Sequence, residues 1–259
     1  MADEISSKPM AEPRRRIRKV RAEVVLVTGG ARRLGRELAR AFARAGYAVA
    51  VGYRHDEAKA ERTVRDLEAL HAQAAAFRAD LADDGAPGRL VAGVLSRFGR
   101  LDVLVHAASP WIPKPVAGVT PADWEAVFRV GPRAAFFLAA AAAGALRRTG
   151  GSILLISDVA ATKAWPHHVP HAAAKAAINA LVVNLAVALG PEIRVNGLAP
   201  GIVLPPEDLS PEAIERLVAK TPLRRKVAVE DLVSMAVAIA GNRSMTGQIV
   251  AVDAGRSCV

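Results

Sequence analysis

From residue 24 onward, short apolar runs alternate with amphipathic or alanine-rich stretches, and this alternation restricts the fold more than any other property of the chain. Runs at 24–27, 48–51, 74–78, 101–106, 152–157, 193–195 and 249–252 read as short buried strands. Stretches at 34–45, 58–71, 87–98, 124–146, 172–189 and 231–240 read as helices. Strands apolar on both sides belong in a sheet covered on both faces, and a helix between consecutive strands makes that sheet parallel. The expectation is an α/β fold in one domain, built on a doubly wound parallel sheet of seven strands. Ligands of such sheets bind beyond the carboxyl ends of the strands, so chemistry is sought in the loops there.

Composition agrees with a single unit. At 259 residues, 52% hydrophobic and 23% charged, the chain can bury a large core, and residues 22–259 are assigned to one domain. Its one cysteine, Cys258, forms no disulfide within the chain, which points to a reducing cytoplasm. The longest apolar run, residues 134–146, is too short to span a bilayer, so no membrane partner is expected. The net charge of +10 is unevenly placed: Arg14, Arg15, Arg16, Arg18, Lys19 and Arg21 cluster in residues 1–21, alongside Pro9 and Pro13. No aromatic side chains interleave these charges, so a disordered extension is expected there in preference to a nucleic-acid arm.

The first loop after a strand reads TGGARRLG, Thr28 to Gly35. Its glycines allow a tight turn close to a pyrophosphate, which the N–H groups of the next helix would stabilise. The second strand ends in Tyr53-Arg54-His55-Asp56, where a cation suits a ribose 2′-phosphate and Arg32 or Arg33 adds a second positive contact. Asp56, followed by Glu57 and Ala58, reads as a helix cap.

These residues resemble the short-chain dehydrogenase/reductase family, over nearly the whole chain from Val24. Thr28 to Gly35, with Arg33 where most of the family has glycine, is similar to the pteridine reductase branch. Further matches are Asp80-Leu81, Ile193 to Asn196, Pro200-Gly201 and the closing stretch from Gly247 to Gly255. The resemblance implies a Rossmann fold, NADP(H) as cofactor, and a homotetramer or dimer paired through the alanine-rich helices. Nucleotide contacts are expected from Gly29, Arg32, Arg33, Leu34, Gly35, Tyr53, Arg54, His55, Asp80, Leu81, Ala107, Ala108, Lys175, Pro200 and Gly201.

The family's catalytic set is an asparagine, a serine and a Tyr-x-x-x-Lys. Lys175 matches the lysine, but His171 stands at the tyrosine, Asp158 at the serine and Gly131 at the asparagine. Histidine transfers protons near neutral pH, so Asp158, His171 and Lys175 form the expected proton-transfer group. Asp158 also reads as a turn cap, and Ser109 and Trp111 match the serine and stacking aromatic of pteridine reductases. Substrate contacts are therefore assigned to Ser109, Trp111, Asp158 and His171. The run KAWPHHVPHAAAK holds three histidines, yet prolines at 166 and 170 break any metal-ligand spacing, so no metal is expected. His167 and His168 read as loop residues over the pocket, and residues 202–227 as its cover. Two functional classes follow: an NADPH-dependent reductase of a pterin-like or other carbonyl or imine substrate, and a catalytically impaired relative acting as a sensor, partner subunit or non-redox enzyme.

Overall fold

A computed structural model describes residues 22–206 and 209–259; the basic tail of residues 1–21 lies outside the described residues. Strand burial follows position in the sheet. The strands are β1 (Val24–Thr28), β2 (Ala48–Tyr53), β3 (Ala74–Arg78), β4 (Val103–His106), β5 (Ser152–Ile156), β6 (Arg194–Pro200) and β7 (Ile249–Val252). They pair in parallel in the order β3-β2-β1-β4-β5-β6-β7. Every residue of the central β1, β4 and β5 is buried, whereas the edges β3 and β7 are partly open to solvent.

Two cores result from the two-residue period of the strands. Val24 and Leu26 face helices α3 (Ala86–Phe98) and α5 (Ala134–Thr149) and the packing face of α6 (Val169–Leu189). Val25 and Val27 face α1 (Arg33–Arg44), α2 (Glu57–Glu68) and α8 (Val229–Gly241). The chain leaves the β3 edge and returns to β4 beside β1, so winding reverses between those strands and opens a crevice at their carboxyl ends.

Three elements depart from the sequence reading. The helix expected over 124–146 begins earlier, at Pro121, and at Gly131-Pro132, which the sequence already marks as a helix break, a wide turn at residues 129–133 divides it into α4 (Pro121–Phe128) and α5. Gly131 there has ψ −108°, outside helical geometry, and Pro132 has no N–H to carry the helical ladder across. β6 runs five residues past the expected end at 195, pairing with β5 to Leu198 and with β7 to Pro200, while the Asn196 amide donates to the Met245 carbonyl at 2.9 Å and accepts from the Gln248 N–H at 3.1 Å. Within the expected cover, α7 (Pro211–Ala219) forms behind the Ser210 cap although none of its residues is buried.

The bilayer argument from 134–146 also changes. Residues 121–149 and α6 are each long and apolar enough to cross a membrane by length and composition. In this fold they lay one side on the sheet, through residues such as Leu138, Ala142, Ile178 and Val182.

Candidate functional site

Close packing shapes the loop from β1 to α1. Gly29 has φ +67°, and a β-carbon there would come within 3.0 Å of Ala108 Cα; one on Gly35 would lie 2.1 Å from the Gly29 carbonyl oxygen. Arg33 has φ +48°, the left-handed region that glycine enters freely, where a β-carbon costs about 1–2 kcal/mol. Its guanidinium donates to the Leu204 carbonyl, and to that of Pro205 at 3.1 Å, which ties this loop to the segment after β6. The α1 cap, Arg32, gives no side-chain hydrogen bond and the first turn holds no acid, so the positive end of the helix suits an anion.

A cavity of about 430 Å³ opens above this loop. Gly29, Arg32, Arg33, Leu34, Gly35, Tyr53, Arg54, His55, Asp80, Leu81, Ala107, Ala108 and Ser109 all line it, together with Lys59 and Val130, which were not expected. Asp56 caps α2 by accepting the Lys59 N–H at 2.9 Å, and Asp80 accepts the Ala82 N–H at 3.0 Å to fix the turn after β3. Lys175, Pro200 and Gly201, also expected to contact the nucleotide, stand outside this wall. Pro200 ends β6, and a β-carbon on Gly201 would meet Asp253 Cα at 2.6 Å.

His106 joins the cavity floor to the helix break. Thr28 Oγ1 accepts the N–H groups of Ala107 and Ala108, at 3.2 and 3.4 Å. Its own proton therefore goes to His106 Nδ1 at 2.9 Å, and the Nε2 proton to the Val130 carbonyl at 3.1 Å. Burial, and then the charge of Lys175, pushes His106 down to about 4, so the neutral ring that this network needs is kept.

The expected proton-transfer residues meet at the start of α6. His171 and Lys175, one helical turn apart, are both buried. Lys175 Nζ donates to the Ile156 carbonyl at the end of β5 at 2.7 Å, and burial pushes the ammonium down to about 8 against the opposing pull of Asp158. Asp158 is the turn cap expected of it and also stands beside His171. Its Oδ1 accepts the Ala160 N–H at 2.8 Å as a cap, while Oδ2 faces His171 Nε2 at 3.5 Å. His171 Nδ1 is buried with no hydrogen-bond partner.

Trp111 covers this group. Its ring centroid lies 5.0 Å from that of His171 and 4.4 Å from that of His168, and Trp165 meets it edge-on at 6.0 Å. His168 is thus a member of an aromatic cluster rather than a free loop residue, whereas His167 contributes only its carbonyl, to the Lys114 N–H. Gly131 stands at the break beside α6, with space for a side chain: an added β-carbon would be 3.8 Å from Ala174 Cβ. Among the described residues, no three histidine, cysteine or carboxylate side chains converge as metal ligands.

Sequence reasoning missed Lys59, Trp165 and the function of His106. Lys59 left one signal, its place three residues after a helix-capping acid. His106 left another, as the only polar residue of the strand VLVH.

Comparison with known proteins agrees with this architecture. The family model described as Enoyl-(Acyl carrier protein) reductase matches residues 29–257. The hydroxynaphthalene reductase-like protein Arp2 of Metarhizium robertsii is 35% identical over 194 residues, covering 74% of this chain and 72% of the relative. L-rhamnose 1-dehydrogenase (NAD(P)(+)) of a Sphingomonas species is 33% identical over 247 residues, 90% and 95% of the two chains. FolM alternative dihydrofolate reductase 1 of Brucella canis, solved with NADP, superposes with a TM-score of 0.87 at 32% identity, covering 93% of this chain and 96% of that one.

Proposed function

The chain belongs to the short-chain dehydrogenase/reductase family, and on that premise we propose that it is an NADPH-dependent reductase of a flat, pterin-like carbonyl or imine compound. One observation carries the reading: the cation-lined cavity over the β1–α1 loop ends at Ser109 and Pro110, and the next residue, Trp111, packs on His171.

The residues present fit a phosphate-bearing dinucleotide. The backbone around Gly29 and Gly35 has no room for side chains, the start of α1 is free of acid, and Arg32, Arg54 and Lys59 stand in the wall. Gly29 to Gly35 would hold the pyrophosphate, Arg54 the ribose phosphate, and Lys175 the second ribose. When bound, such a cofactor supplies the hydride. This chain supplies the proton. Asp158 faces His171 Nε2 and Nδ1 is buried, so the imidazole would have to turn out from under Trp111 to give a proton to the substrate oxygen or nitrogen while the carbon gains hydride. Trp111 offers a face to a planar ring, and Asp158 an acceptor for its N–H edge. The reductase is proposed to work as a homo-oligomer.

NADPH oxidation in the presence of dihydrobiopterin, folates and a panel of quinones tests the reading. Turnover of at least one flat substrate is expected, and His171→Ala should lower kcat by about 100-fold, as expected for loss of a general acid, with little change in NADPH affinity. Tight NADPH binding with no turnover of any compound would support the second reading, a ligand-binding relative without redox activity. The cover that Trp111 and His168 place over His171 favours that alternative. Activity that rises sharply in His171→Tyr would sink histidine as the acid.

A further inference from the structure

Asp56 and Lys59 line the cavity beside Tyr53, Arg54 and His55, away from the proton-transfer group. An acid here works against a phosphorylated ribose. Asp56 occupies the start of α2, where free N–H groups would otherwise attract a phosphate, and its carboxylate brings negative charge next to Arg54. Lys59 answers that charge twice. Its backbone N–H binds Oδ1 at 2.9 Å and its ammonium closes on Oδ2 at 2.8 Å. The hydrogen bonds from Lys59, with a further contribution from Arg32, hold the Asp56 carboxyl below the usual range, so it is ionised at neutral pH. Glu57, the next acid, engages the Tyr53 hydroxyl instead.

The pair does little for folding. Its side chains are 57% and 44% exposed, and ion pairs in that setting are screened by water and salt. Its effect falls on whatever enters the cavity. We propose that Lys59 is a specificity-determining residue: by pairing with Asp56 it masks that carboxylate, and so allows the cavity to prefer a dinucleotide with a phosphate on its adenosine ribose over one without. The assignment rests on the NADPH reading above.

Titration of NADPH and NADH into the wild type, Lys59→Met, Asp56→Asn and the double variant tests it. Asparagine still caps a helix, so α2 is kept throughout. Lys59→Met should weaken NADPH by about fivefold and NADH by less than about twofold, the scale of one charge acting through solvent, with the difference shrinking as salt is added. Asp56→Asn should tighten NADPH, and in that background Lys59→Met should cost less, since no carboxylate is left to mask. Equal weakening of both cofactors, or strictly additive effects, would overturn the role of Lys59 and leave the NADPH reading standing. Equal affinities in the wild type, or binding of neither cofactor, would overturn both.

Discussion

Arg33 holds a backbone conformation that glycine would adopt without strain, and its guanidinium spans to the Leu204 and Pro205 carbonyls. Arg33→Gly removes the strain together with the tie. Amide exchange at Val203 and Leu204 should quicken, while the melting temperature stays within about 3 °C of wild type because the two effects oppose; unchanged exchange would show that the tie holds nothing. His106 makes a separate prediction about acid. Its folded pKa of about 4 lies below the ordinary 6.5, so between those values the unfolded chain binds more protons and stability is lost as the pH is lowered. The contribution is complete above pH 6.5 and reaches a loss of about 3 kcal/mol by pH 4. Urea denaturation at several pH values measures this, and His106→Asn should flatten the dependence in that window. Single residues were unevenly legible. Asp158 and His171 were legible through the family resemblance, at the serine and tyrosine positions of its catalytic set; only His171 is tied to Lys175 by helical spacing, one turn apart on α6. The ring contacts of His106 cross between elements far apart in sequence, and no local spacing encodes them.

Elements whose stability comes from burial were the legible ones. Apolar runs marked all seven strands because the sheet is covered on both faces, and the strand most misjudged in length, β6, is extended by parallel pairing with β5 and β7 through a stretch whose asparagine, glycine and proline break the apolar run. α7 was missed although Ala213, Ile214, Leu217 and Val218 form an apolar stripe, half-buried in the fold: the helix is short and lies in a proline- and charge-rich segment that read as cover. Hydrogen exchange should separate the two kinds of element. Amides of α7 are expected to exchange through local opening, orders of magnitude faster than those of β1, β4 and β5, which open only with the whole domain. Comparable protection would mean that α7 is held by contacts beyond those described. The break between α4 and α5 was readable from Gly131-Pro132, because proline cannot donate to the helical ladder; its attachment to His106 was not.

For the molecule as a whole, exposed large apolar side chains among the described residues recur on α4, α5 and α6. Trp124, Phe136 and Phe137 of α4 and α5 are about half exposed, and Val187 of α6 is 81% exposed, on the helices that carry the two longest apolar stretches. A second copy of the chain is the expected cover. Light scattering after size exclusion should give a dimer or tetramer, and combining Phe137→Asp with Val187→Asp should shift it to monomer; a wild-type monomer would refute the homo-oligomer. The aromatic cluster has a consequence of another kind. The chain has three tryptophans, and two of them, Trp111 and Trp165, lie within ring contact of His168 at the substrate end. Its ultraviolet emission is therefore weighted toward the proposed proton-transfer group, and a planar guest that wedged beneath Trp111 would announce itself as a change in that glow, with no dye attached.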